Sequence, residues 1–91
     1  KIFLIQETVM EPNLKKGEHV IVDLSDKNPT PPGIFVISDG FGYMARNCSY
    51  KPGSSPPKIT ISANQKEFEA HTLKKNEFNI LGRVIAKMQW I

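Results

Sequence analysis

The feature that most constrains the fold is a two-residue hydrophobic repeat near the end of the chain. Every second position carries an apolar residue or glycine: Phe78, Ile80, Gly82, Val84, Ala86, Met88 and Trp90. Polar residues fill most of the positions between them. Alternate side chains of a strand share one face, whereas a helix would scatter these positions around its axis. The repeat therefore predicts a long strand with one apolar face, bent at Gly82, where the missing side chain weakens a sheet.

Two further segments have strand-like patterns. Residues Lys58–Ser62 alternate, with Ile59 and Ile61 on one face, and His19–Leu24 form a β-branched run that predicts a strand buried on both faces. Proline-rich segments at 28–33 and 51–57 lack the backbone donors that a sheet needs, so we expect surface loops there. The protein is predicted to be mainly β.

A hairpin is predicted around Asp39-Gly40, which lies between two apolar runs. This dipeptide suits a type I′ turn, in which both central residues have positive φ. A two-residue loop would pair Ser38 with Phe41 and Val36 with Tyr43.

The size and composition of the chain narrow its class. Its 91 residues allow one domain with one modest core, and its single cysteine cannot form an internal disulfide. No apolar stretch approaches the ~20 residues of a membrane-spanning helix, so we expect no membrane partner. The chain opens directly on the strand-like run Lys1–Ile5, without an initiator Met. We expect a single domain, residues 1–91, belonging to a longer protein of the reducing cytoplasm.

The residues alone do not indicate an enzyme. His19 and His71 lack metal-ligand spacing and a neighbouring acidic cluster, and Cys48 lacks a partner base, so a half-buried structural thiol is expected there. We therefore predict no metal, no cofactor and no small-molecule substrate. The net charge of +3 is spread along the chain, which predicts no DNA-binding face within these residues.

Four separated motifs, in order, resemble one known family. The first is Val9-Met10-Glu11-Pro12-Asn13-Leu14, followed by Gly17 and by Val20-Ile21-Val22-Asp23. The second is Asp39-Gly40 with Tyr43-Met44-Ala45-Arg46, and the third is Ile59-Thr60-Ile61-Ser62-Ala63-Asn64. The fourth is Ile80-Leu81-Gly82-Arg83-Val84. Together they resemble the LexA and phage-repressor family of self-cleaving serine-lysine peptidase domains, which is distantly related to the signal peptidases.

The resemblance implies coiled β-sheets of the LexA and signal-peptidase type, with an SH3-like partial barrel. It also implies that the catalytic pair is missing. The family's nucleophilic serine stands at the position of Val9, and its lysine base stands at the position of Ala45. Valine has no proton to lose and alanine has no lone pair, so we expect no peptidase activity. The family motif is otherwise represented by Met10, Glu11, Pro12, Leu14, Gly17, Asp23, Gly82 and Arg83.

The resemblance further implies a function without catalysis. Repressors of this family use the domain to pair two chains, so that two N-terminal helix-turn-helix modules reach both halves of an operator. We therefore expect a homodimer that contacts DNA only through an N-terminal domain outside this chain, encoded by a bacterium or a phage. The candidate dimer surface consists of Leu81, Ile85, Trp90 and Ile91, although Trp90 also has the parity of a core residue.

Two other functions stay open at this stage. One is an active serine-lysine autoprotease, or a relative of signal peptidase, whose two catalytic residues have been replaced at positions 9 and 45. The other is a stand-alone interaction module that has no DNA-binding half.

Overall fold

The computed structural model describes residues 1–89, which form one antiparallel sheet of seven strands. The strands are β1 (Ile2–Leu4), β2 (His19–Asp23), β3 (Gly33–Ser38), β4 (Tyr43–Tyr50), β5 (Lys58–Ser62), β6 (His71–Lys74) and β7 (Asn79–Lys87). Their spatial order is β1-β2-β7-β3-β4-β5-β6, with β1 and β6 at the edges, and the sheet does not close. One 3₁₀ turn, Lys75–Glu77, precedes β7. The predicted mainly-β class is confirmed.

The sheet buries a separate apolar core on each of its two faces. Core 1 contains Ile5, Met10, Leu14, Val20, Val22, Val36 and Ala45. Core 2 contains Phe35, Ile37, Cys48, Ile59, Ile61 and Phe78. Strand β3 contributes to both, because Val36 faces core 1 while its neighbours Phe35 and Ile37 face core 2.

Strand β7 changes face along its length because it contains two register shifts. Its pairing with β3 skips Leu81, and its pairing with β2 skips Ile85. An extra residue in one strand reverses which face the following side chains occupy. Ile80 accordingly packs against core 2, whereas Val84, of the same parity, packs against core 1. The predicted single apolar face is therefore wrong, since the two bulges divide it between two cores.

The β3–β4 hairpin has a longer loop than predicted. Ser38 pairs with Tyr43, so residues 39–42 form the connection, and Val36 pairs with Ala45. Gly40 has φ +95°, whereas no residue other than glycine has positive φ within the described chain, so the type I′ turn is absent. The register differs from the prediction by two residues. Because a shift of two preserves strand parity, each side chain keeps its predicted face.

Strand β2 is buried on one face only, contrary to prediction. Val20 and Val22 are buried in core 1, whereas Ile21 on the opposite face is exposed. The reason is that core 2 lies over β3 to β6 and the beginning of β7 and does not cover the same face of β1 and β2. Strand β6 has no clear alternation in the sequence, and we did not predict it.

Within residues 1–89 there is no helix with the length and apolar character that crossing a bilayer requires.

The two proline-rich segments are loops, as predicted. The next strands begin at Gly33 and Lys58, where these segments end. The segment around Pro12 makes one helix-like turn, in which the Leu14 amide donates to the Met10 carbonyl at 3.0 Å.

Candidate functional site

The segment that contains Val9 is held in place by the turn after β5. The Val9 carbonyl accepts hydrogen bonds from the amides of Asn64 and Gln65, at 2.9 and 3.0 Å. The Asn64 side chain donates to the Met10 carbonyl at 3.0 Å, and the Gln65 side chain donates to the Glu11 carbonyl at 2.7 Å. Residues 54 positions apart in sequence, from two of the motifs and the turn beside them, are therefore joined by backbone and amide hydrogen bonds.

Ala45 lies on β4 in the same apolar cluster as Val9. Its side chain is only 5% exposed and belongs to core 1, and the half-buried Val9 packs against that core. Strand β4 pairs with β5 only from Asn47 onward, so the sheet is open beside Ala45 on that side. The structure thus brings both positions of the expected catalytic pair to one core.

The two positions nevertheless open onto different depressions. Ala45 lines a cleft of about 230 Å³ whose other walls are Phe3, Ile5, Gln6, Glu7, Met10, Tyr43, Met44 and Arg46. Val9 lines a shallower, more polar depression together with Thr8, Glu11, Gln65 and Glu67. The side chains at the two positions carry only methyl groups, where the family's pair would carry a hydroxyl and an amine.

The neighbouring nucleophiles do not replace the missing ones. Thr8 is exposed beside Val9, and no base contacts it among the described hydrogen bonds. Cys48 lies in core 2, on the opposite face of the sheet, and is fully rather than half buried. Burial raises the pKa of the Cys48 thiol to about 12, so it stays protonated and a poor nucleophile at neutral pH.

The buried Cys48 predicts a loss of stability in alkali. The thiol has a pKa of about 12 when folded and an ordinary value of 9.0, so the unfolded chain releases its proton first. The free energy of unfolding should be unaffected by Cys48 below pH 9.0 and should fall by up to about 1.4 kcal/mol per unit above it. Urea titrations of wild type and Cys48→Ala at pH 8 and pH 10.5 test this. An identical pH dependence in the two proteins would contradict it.

Arg46 is a buried cation on the wall of the cleft. Its guanidinium makes two hydrogen bonds to the Glu7 carboxylate, at 3.0 and 3.2 Å, and donates to the Ala45 carbonyl at 2.8 Å. It also stacks over the Phe68 ring, 4.4 Å from the centroid. These contacts anchor the segment before Val9 to β4. An arginine side chain does not serve as a general base in place of the family's lysine.

The Arg46–Glu7 pair predicts an asymmetric mutational response. The Arg46 side chain is 5% exposed and that of Glu7 is 44% exposed. Glu7→Gln leaves a buried guanidinium without its counter-charge and should cost about 2–3 kcal/mol. Arg46→Met keeps an apolar stem against Phe68 and leaves Glu7 free to hydrate, so it should cost about 1 kcal/mol. Urea denaturation of both single variants and the double variant measures the costs; a larger cost for Arg46→Met would contradict the argument.

The remaining motif residues have structural roles. Met10 and Leu14 are buried in core 1. Gly17 has φ +94°, a conformation that side chains disfavour, and donates to the Ile5 carbonyl at 2.8 Å. The Asp23 carboxylate accepts from the hydroxyl and amide of Ser25, at 2.6 and 2.9 Å, and these bonds lower the pKa of Asp23. Glu11 and Pro12 lie in the turn that the Gln65 side chain holds.

Arg83 braces the first proline-rich loop against the sheet. It donates to the Asp26 carboxylate at 2.7 Å and to the carbonyls of Asn28 and Pro31, each at 2.9 Å. The guanidinium also lies 4.5 Å from the centroid of the Phe35 ring. The sequence motif had marked this residue, but only the structure shows what it contacts.

The four candidate dimer residues differ in placement. Leu81 is half-buried against core 1, whereas Ile85 is 58% exposed. Trp90 and Ile91 lie outside the described residues. Ile2 pairs directly with Ile21, and Ile21 pairs with Ala86, next to the bulged Ile85. Ile2, Ile21, Ile85 and Ala86 are all exposed, and they lie next to one another across strands β1, β2 and β7. We call Ile2, Ile21, Ile85 and Ala86 the outer face; sequence reasoning found only Ile85 of this set.

The search for metal-ligand clusters in the described residues and for similar proteins gives no match. Among residues 1–89, no three His, Cys, Asp or Glu side chains are grouped so as to hold a metal ion. Comparison of the chain with family models, curated proteins and solved structures finds no match in any of the three.

Proposed function

We propose that this chain is a peptidase-like domain of the LexA and phage-repressor type that lacks catalysis and serves as the dimerisation and regulatory half of a helix-turn-helix transcription regulator. The observation that supports this most is that Val9 and Ala45, 36 positions apart in sequence, both belong to or pack against core 1. The motifs that resemble the family also contact each other, since the Asn64 turn holds the segment from Val9 to Glu11.

The chemistry of the two positions supports a binding role rather than an enzymatic one. A serine-lysine pair needs a hydroxyl and an amine whose charged form is disfavoured by an apolar pocket. Ala45 is buried in a cleft whose walls are mostly apolar, with the Arg46–Glu7 ion pair on one side, but neither reacting group is present. The pairing of two chains is the part of the family's function that needs neither the hydroxyl nor the amine.

The outer face is the surface we assign to that pairing. It places three isoleucines side by side on β1, β2 and β7, and β1 adds the exposed Leu4 next to them. Exposed apolar patches of this kind commonly mark contacts between proteins. Two copies related by a two-fold axis would bury the same patch on each other, which is the simplest closed arrangement.

In this proposal, DNA is contacted by a module outside the chain. Basic side chains are scattered over the sequence, so the domain itself offers no concentrated cationic face. Joining two DNA-binding modules through a dimer converts the second contact into an intramolecular one, which raises the overall affinity. The dimer also fixes the spacing of the two half-sites. The domain is expected to act in the cytoplasm.

Sedimentation equilibrium from 5 to 500 µM tests the pairing. The wild-type chain should dimerise, and Ile85→Glu should raise the dissociation constant at least tenfold, because a charge would be buried in the contact. Tyr43→Glu is the matched control, since Tyr43 is 59% exposed and lies on a different part of the sheet. A strictly monomeric wild type, or equal weakening by both variants, would contradict the proposal.

A further inference from the structure

Core 2 contains a cavity that the proposed function does not use. It measures about 240 Å³ and lies on the opposite face of the sheet from Val9 and Ala45. Its walls are mainly apolar: Ile37, Met44, Ile61, Phe68, Leu73 and Phe78. Ser38, Asp39 and His71 complete the lining. A cavity of about 150 Å³ with such walls already accommodates a benzene ring, so this one has room for a phenylalanine side chain.

An unexplained aromatic side chain lies beside the cavity. Phe41, in the loop of the β3–β4 hairpin, is 97% exposed, more than any other large apolar residue in the described chain. Leaving such a ring in water forgoes about 2 kcal/mol of burial. Glycines precede and follow it, and a Cβ built at either Gly40 or Gly42 meets no atom within 4 Å. The hairpin tip thus presents one ring on a narrow, unobstructed backbone.

We propose that the cavity receives Phe41 of a second copy of this chain, in a reciprocal contact of two hairpins. A two-fold contact requires the inserted group and the receiving cavity to lie close together on each copy. Asp39 lines the cavity and Phe41 is two residues further along, so their Cα atoms are at most about 7.6 Å apart. Two hairpins lying antiparallel side by side would place each ring over the other copy's cavity.

The charged and polar groups at the cavity mouth include one that opposes this occupant, Asp39, and one that favours it, His71. The inserted hairpin tip carries one ionisable side chain, Asp39, whose carboxylate accepts from the Phe41 amide at 2.9 Å. His71 lies at the receiving cavity, in edge-to-face contact with Phe68 at 5.6 Å between ring centroids. The incoming carboxylate therefore approaches an imidazole that can donate a hydrogen bond, and also the receiving copy's own Asp39, whose repulsion weakens the contact.

The contact is expected to be weak. Two phenylalanine rings and the adjoining loops bury much less than the roughly 1,200 Å² of a stable interface. Self-association should therefore be seen only at about 100 µM and above. It uses a different surface from the outer face, so it can succeed or fail independently of the proposed dimer.

Chemical shifts of the labelled protein, recorded from 20 µM to 1 mM, test the contact. Signals of Met44, His71 and Leu73 should move with concentration in wild type and in Ile85→Glu, and should stay fixed in Phe41→Ser. Tyr43→Ser is the control, because it removes another exposed aromatic side chain of the same hairpin and leaves the cavity walls intact. Adding unlabelled wild type, but not unlabelled Phe41→Ser, should restore the shifts in labelled Phe41→Ser.

Four results would overturn this inference. The first is the absence of any concentration-dependent shift at the cavity up to 1 mM. The second is persistence of those shifts in Phe41→Ser. The third is a cavity that binds free N-acetylphenylalanine amide or indole while showing no self-association, which would assign it to a small aromatic ligand. The fourth is loss of the concentration-dependent shifts in Ile85→Glu, which would assign those shifts to the outer face.

Discussion

Replacing Ala45 with lysine is expected to destabilise the protein by about 3 kcal/mol at pH 7, relative to Ala45→Met. The two variants add chains of similar length at a position that is 5% exposed, so they share any packing cost. Only the lysine must lose its proton or carry its charge into the apolar cleft. Urea denaturation of both variants at several pH values measures the difference.

The pH dependence of that difference identifies its cause. Desolvation lowers the folded-state pKa of the introduced lysine below its ordinary value of about 10.4. The unfolded chain then binds more protons than the folded chain below that value, so the penalty grows as pH falls and disappears as pH approaches about 10.4. A penalty that is the same at pH 7 and pH 10 would show that the site is not apolar enough to hold a neutral amine.

Replacing Gly82 with alanine is expected to cost about 3 kcal/mol of stability. A Cβ at this position would collide with the backbone carbonyl oxygen of Asp23 and would lie 2.9 Å from a methyl carbon of Val22. Both atoms belong to β2, which is paired with β7 at this point, so relief requires the two strands to separate. Gly82 is therefore needed for the close approach of β2 to the bulged part of β7.

Gly42→Ala is the control for this prediction. A Cβ at Gly42 meets no atom within 4 Å, and its φ is not positive. Its cost should lie within about 0.5 kcal/mol of zero. Thermal and urea unfolding of the two alanine variants should thus differ widely. Equal stability would mean that β2 can move away from β7 without loss of packing.

The sequence predicted the strands whose alternation is set by local burial. Strand β5 is an example, because Ile59 and Ile61 face core 2 while Thr60 lies on the other side. The predicted face of β7 is wrong beyond Leu81. A bulge arises from how a strand pairs with its neighbour, and the alternation of apolar and polar residues gives little sign of it. The exposure of Ile21 was also missed, because it depends on which faces the second core covers.

The candidate site was predictable only in part. The motif resemblance named Val9 and Ala45, and the structure places both at core 1. It did not indicate the Arg46–Glu7 pair, in which two residues 39 positions apart meet through tertiary packing. Parity placed Arg46 on the opposite side from Ala45, and the cation–π contact with Phe68, which packs against core 2, agrees with that. The SH3-like partial barrel stays a prediction, since the described residues form a single open sheet.

Covalent labelling of the variant Val9→Ser/Ala45→Lys tests the central claim most directly. A fluorophosphonate reacts with an activated serine: the Oγ–P bond forms, fluoride leaves, and the serine proton passes to the base. Intact mass should show one adduct on the double variant, at a rate that rises with pH, and none on either single variant or on wild type. A folded double variant that stays unlabelled, or equal labelling of Val9→Ser alone, would contradict the account.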